Sequence, residues 1–130
     1  MQAEEMRALS IRRIEQAEQC VESAKLLLAA GDIKGAANRS YYGIFHAIRA
    51  VIALEGKDFA KHSGVINYFR QQYIKTGKLD VELSDMIADA FQIRTDCDYN
   101  DYYIVSKPEV EEQVQNAELF VCAIQTFLNP

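Results

Sequence analysis

The chain has 130 residues, 49% of them hydrophobic and 25% charged, which is ample for one core and short for two ordinary domains. No stretch approaches the roughly 18 to 20 consecutive apolar residues of a membrane span, and residues 1–20 are too charged for a signal peptide, so a cytoplasmic, single-domain protein (1–130) is expected. A net charge of −5 argues against general nucleic-acid binding.

In chain order, Ile14, Ala17, Val21, Ala24 and Leu28 recur at spacings of three and four, one stripe of a first helix that Gly31 ends. Asp32 is the expected N-cap of a second helix, with core stripe Ala37, Tyr41, Ile44, Ile48 and Val51 and an end near Gly56. A shorter third helix is expected over about 61–76, with Val65, Ile66, Phe69 and Tyr73 inward and Gly77 ending it. A fourth is expected to begin around Leu79 and to turn Leu83, Ile87 and Ala90 inward. In the fifth, Ser106 and Glu109 have capping-box spacing and Pro108 sits in the first turn. Its stripe is Val110, Val114, Ala117, Val121, Ile124 and Leu128. Alternating β-branched runs are absent, so strands are not expected. These stripes can be buried only against one another, and the expected fold is all-α: an antiparallel helical bundle of four main helices plus one shorter helix.

Three features are not needed by a purely structural bundle. On the fourth helix the inward stripe continues to Arg94 and Asp98, four residues apart and able to pair. The pair either closes the end of the bundle or holds an arginine fork, oriented by its carboxylate, for a phosphate. On the second helix Arg39, Tyr42, His46 and Arg49 make a cationic and aromatic face that either is a packed surface or binds phosphate and moves a proton. Near the end of the fourth helix, Tyr99, Tyr102 and Tyr103 either pack the bundle margin or stack on bases.

Charge is unevenly spread. Residues 34–78 hold eight basic side chains against Glu55 and Asp58, a net of +6, which leaves −11 elsewhere. That segment, with Lys57, Lys61 and Arg70 among its cations, is either a set of solvated faces or a surface for an anionic partner. The three cysteines are odd in number, widely spaced and form no CxxC pair, and the only histidines are His46 and His62. Neither a disulfide framework, a metal site nor a cofactor is indicated.

Three motifs in order, Ala37-Asn38-Arg39-Ser40-Tyr41-Tyr42-Gly43-Ile44-Phe45-His46-Ala47, then Lys61-His62-Ser63-Gly64, then Arg94-Thr95-Asp96-Cys97-Asp98-Tyr99, resemble the HEPN superfamily. The chain is more narrowly similar to its prokaryotic branch with an NRxYYxxFHA helix and an RxxxDY helix end. The resemblance implies a helical bundle dimerised about the motif-bearing helices, and a toxin-like partner of a small nucleotidyltransferase antitoxin. It also implies metal-independent ribonuclease activity in which an arginine holds the phosphate and a histidine four to six residues later assists attack by the 2′-OH. Arg94 matches that arginine, whereas Asp98, Tyr99 and Asn100 stand where the histidine should follow. Two other readings stay open: a non-catalytic module binding RNA or nucleotide, and a structural partner subunit. The site expected across these readings has Arg94, Asp98 and His46 in catalytic positions, with Arg39, Arg49, Tyr99 and Tyr102 on phosphate or RNA.

Overall fold

The computed structural model describes residues 2–130 and contains five α-helices: α1 (Ala3–Ala29), α2 (Ile33–Ala53), α3 (His62–Phe69), α4 (Glu82–Tyr99) and α5 (Lys107–Leu128). No strand occurs among the described residues. The expected caps form. Asp32 accepts from the Gly35 amide at 2.9 Å, and Ser106 and Glu109 close a reciprocal capping box at the head of α5. α1 ends where Gly31 adopts φ 89°, a left-handed conformation that lets the Asp32 amide reach back to the Leu27 carbonyl at 2.9 Å.

Cross-helix bonds give the directions. Ser10 near the start of α1 donates to the Ala50 carbonyl near the end of α2, while Cys20 further along α1 lies against Arg39 near the start of α2. Ala24 and Leu28 late in α1 pack with Val110 and Val114 early in α5, and Arg94 late in α4 meets Tyr42 early in α2. The main helices thus run up and down in turn, and α2 is their common neighbour, packed on α1, α4 and α5 as well as on α3.

The sequence of α2 suits that central place. Tyr41, Ile44, Ile48, Val51 and Ile52 are all fully buried, and small residues let α1 come close. At Gly43 a Cβ would meet Val21 Cγ2 at 3.1 Å and the Ala17 carbonyl at 3.5 Å, so α1 packs directly on the glycine and an alanine there would require the Val21 side chain to give by a few tenths of an ångström. Phe69 and Tyr73 from the third element stack at 5.6 Å and cover the core beside Phe120.

Two boundaries differ from the sequence expectation. The third helix is α-helical only to Phe69, and residues Arg70–Ile74 form a π-helical turn in which the Lys75 amide reaches Arg70 O at 2.8 Å. The wider turn leaves Phe69 and Tyr73 both in the core while Arg70 reaches Ser84 across the next connection. α4 starts at Glu82 rather than around Leu79, because Leu79 is tied back to the Tyr73 carbonyl and Asp80 accepts from the Glu82 amide. None of the described helices is long and apolar enough to cross a membrane.

Candidate phosphate site between the second, third and fourth helices

Successive residues of a helix point about 100° apart, so Tyr41 and Tyr42 divide their work: Tyr41 is fully buried and Tyr42 half-buried at the rim. Their rings meet edge to face with centroids 5.1 Å apart. Arg94 reaches this pair from α4. Its guanidinium lies 5.0 Å from the Tyr41 ring centroid and 5.4 Å from that of Tyr42, and Nη2 donates to Tyr42 Oη at 3.3 Å. Asp98, one turn further on, places Oδ2 3.1 Å from Arg94 Nε. That contact is an ion pair by distance only: the carboxylate lies off the N–H direction, and the buried Nε has no aligned hydrogen bond.

Arg39 lies over the ring of Tyr42, 5.0 Å from the centroid. Its Nε and Nη2 donate to Asn38 Oδ1 at 3.1 and 2.8 Å, and Nη1 points to Cys20 Sγ at 3.9 Å. Two guanidinium groups thus converge on one tyrosine, the charge pattern of an anion site. A second cationic pair, Arg49 of α2 and Arg13 of α1, is built differently. Arg49 donates to Asp58 Oδ2 at 2.9 Å, and the buried Arg13 bridges the same carboxylate at 3.4 Å and the Arg49 carbonyl at 3.2 Å.

Both histidines adjoin the tyrosines. His46 lies 6.0 Å from the Tyr42 ring, with a buried Nδ1 that has no partner among the described residues. Burial, then the charges of Arg49, Arg39 and Arg13, hold its imidazole below the ordinary 6.5. His62, the first residue of α3, stacks on Phe45 at 4.0 Å and makes a 3.0 Å hydrogen bond between Nδ1 and Tyr41 Oη. Burial, then the charges of Arg94 and Arg49, lower its pKa as well. Burial pushes the Tyr41 hydroxyl up to about 12, so it stays protonated. The result is a shelf of two tyrosines and a phenylalanine carrying two arginines and two neutral histidines. It can bind an anion and accept a proton.

Residues 11–126 match the HEPN domain family. The chain belongs to that family. A UPF0332 protein of Thermotoga maritima is 34% identical over 112 residues, covering 86% of this chain and 85% of its own. Two proteins of Methanocaldococcus jannaschii, named "Putative toxin MJ0142" and "Putative toxin MJ0605", are each 31% identical, over 88% and 96% of this chain and 78% and 90% of their own.

In this HEPN chain the structure brings together Arg39, Tyr42, His46, Arg94 and Asp98, drawn from two of the motifs. Arg49 lies at one edge, over the Phe45 ring at 5.9 Å, with its fork on Asp58. Tyr99 and Tyr102 lie apart from the shelf on the outer surface, 77% and 94% exposed, with no hydrogen bond or ring contact to Arg94 among the described residues. The helix turns one residue per 100°, so Tyr99 leaves α4 on a different side from Arg94, and Tyr102 lies in the turn beyond it. Sequence reasoning missed His62 as a site residue. Its signal was the Lys61-His62-Ser63-Gly64 motif, whose distance of some twenty residues from Tyr41 hid the bond between them.

Proposed function

We propose that this HEPN protein is the toxin-like partner of a small nucleotidyltransferase, and that it cleaves RNA without a metal ion, with Arg94 holding the scissile phosphate. The observation that carries this reading is the state of Arg94. Its guanidinium rests on two tyrosine rings, Nε has no aligned acceptor, and two histidines with depressed pKa stand beside the same rings. A phosphate oxygen fits such a fork better than the off-axis carboxylate, and a neutral imidazole can take the proton of a 2′-OH. The relatives named as toxins, and the +6 balance of residues 34–78, support a toxin-like role and an anionic substrate. A homodimer about the motif-bearing helices and a cytoplasmic setting belong to the same proposal.

One observation favours a second reading, a non-catalytic module that binds RNA or nucleotide: Asp98, Tyr99 and Asn100 occupy the positions after Arg94 where the family's catalytic histidine is expected. Incubating the purified protein with single-stranded and structured RNA in the presence of EDTA separates the two. Cleavage that Arg94→Ala abolishes supports the nuclease. Arg94-dependent binding without cleavage favours the module, and neither binding nor cleavage leaves a structural subunit of the nucleotidyltransferase complex.

A further inference from the structure

Resting on the nuclease reading above, we infer that His62, delivered from α3, is the catalytic proton acceptor of the Arg94 site and replaces the histidine that does not follow the arginine on α4. Arg94 and His62 are each attached to one of two consecutive tyrosines. Arg94 Nη2 donates to Tyr42 Oη at 3.3 Å, and His62 Nδ1 meets Tyr41 Oη at 3.0 Å. The two rings touch with centroids 5.1 Å apart, so three helices place one guanidinium and one imidazole on a single aromatic platform.

His62 is also better prepared for the task than His46. Its plane is fixed by stacking on Phe45 at 4.0 Å, and its Nδ1 is held by a hydroxyl, the orienting contact that a general base needs. His46 has Nδ1 buried without a partner among the described residues, so no hydrogen bond orients its ring there. In the tautomer with the proton on Nδ1, donated to Tyr41 Oη, His62 keeps a free lone pair on Nε2. Burial and the charges of Arg94 and Arg49 keep it unprotonated at neutral pH. The charged and titratable groups around it are Arg94 from α4 and Tyr41, Tyr42, His46 and Arg49 from α2.

The step balances without metal or redox partner. The 2′-oxygen forms a bond to the adjacent phosphorus and gives its proton to His62 Nε2. The bond from phosphorus to the 5′-oxygen breaks, and that oxygen takes a proton from water. His62 then returns its own proton to solvent. The products are a 2′,3′-cyclic phosphate and a 5′-hydroxyl, and a substrate lacking the 2′-OH is inert.

The test uses a synthetic single-stranded oligoribonucleotide and the full chain, with circular dichroism as a check on folding. His62→Ala is expected to cut turnover about 100-fold or more, within the range for loss of a general base, while its affinity for the oligomer stays within about twofold. Added imidazole restores part of the rate to His62→Ala, and Tyr41→Phe, which frees the ring, loses about tenfold. His46→Ala loses less than His62→Ala. If the wild type cleaves but His62→Ala keeps its rate, or imidazole gives no rescue, His62 is not the base although the nuclease reading survives. If His62→Ala fails to fold, His62→Gln with the same readouts decides. A wild type that binds the oligomer through Arg94 without cleaving it overturns the nuclease reading, and this assignment with it.

Discussion

Two arginine clusters adjoin α2, each with one arginine from that helix and one from a neighbour, and they are built to opposite rules. Around Asp58, Arg49 and the buried Arg13 share one carboxylate, Arg13 adds the Arg49 carbonyl, and Ser10 takes the Ala50 carbonyl at 2.7 Å. Charges and helix-end carbonyls there answer one another within the protein. Around Tyr42, Arg39 and Arg94 lie on aromatic faces, and the one carboxylate present, Asp98, misses the axis of the donor it adjoins. A buried charge is stable only when it is paired and hydrogen-bonded. The first cluster is therefore structure, whereas the second leaves one guanidinium donor, Arg94 Nε, without an aligned acceptor among the described residues.

The largest expected effect tests that contrast directly. Arg94→Ala should lower RNA cleavage about 100- to 1,000-fold, the usual loss when one preorganised charge donor is removed, with the melting temperature moving only a few degrees. Calorimetry beside a cleavage assay checks both. A large stability loss with unchanged activity per folded molecule would make the two clusters alike.

Arg13→Ala should do the reverse. It deletes a buried guanidinium bonded to a carboxylate and to a main-chain carbonyl, and hydrogen bonds of charged groups contribute about 1.5 to 3 kcal/mol each. A destabilisation of about 2 kcal/mol in urea unfolding is expected, with cleavage per folded molecule unchanged. Activity lost in proportion to Arg94→Ala would place Arg13 in the site.

Much of this contrast was hidden in the sequence, for a physical reason. Spacing alone shows which residues share a helix face, and it placed Tyr41, Ile44 and Ile48 in the core and Arg94 beside Asp98, because those relations are local. It also put Arg39, Tyr42, His46 and Arg49 on one face. It could not show that Arg49 is spent on Asp58 while Arg39 is stacked on Tyr42, since one depends on a loop nine residues on and the other on a rotamer. His62 was out of reach in the same way: its partners Tyr41 and Phe45 come from another helix. The π turn after Phe69 leaves no periodic trace, because Tyr73 falls inward under either geometry.

Acid titration sharpens the structural side. Burial pushes the Asp58 carboxyl up, but the Arg49 hydrogen bond, the Phe59 amide and the two arginine charges outweigh it, and its pKa lies below the ordinary 3.8. A carboxylate held lower when folded adds stability that is complete above its unfolded pKa and is lost as pH falls through the folded value. The difference in stability between wild type and Asp58→Asn should hold steady at neutral pH and shrink below about pH 4. Asp58 is 47% exposed, so solvent screening keeps its pairing worth no more than about 1 kcal/mol. A gap that stays constant down to pH 2 would remove the ion pair from the account.

The smallest effect separates free cations from occupied ones within the basic segment. Lys57 and Lys61 are exposed and flank the loop that ends at His62, whereas Arg70 donates to Ser84 Oγ at 3.0 Å and to the Ser84 carbonyl at 3.1 Å. Unlike Arg70, both lysines have ammonium groups ready to replace counterions on a nucleic acid. Each phosphate contact on a single strand contributes about 0.7 to the slope of log affinity against log salt. The double replacement Lys57→Gln and Lys61→Gln should therefore flatten that slope by about 1.4 and weaken binding by a few-fold for all RNA sequences alike. Arg70→Gln should leave the slope unchanged and instead lower the melting temperature, because it unties the π turn from α4. Binding isotherms of a fluorescent oligoribonucleotide at several salt concentrations read both outcomes. Equal slopes for wild type and the lysine double variant would mean that the +6 segment is solvated surface, and that the RNA meets the protein only at the Arg94 shelf.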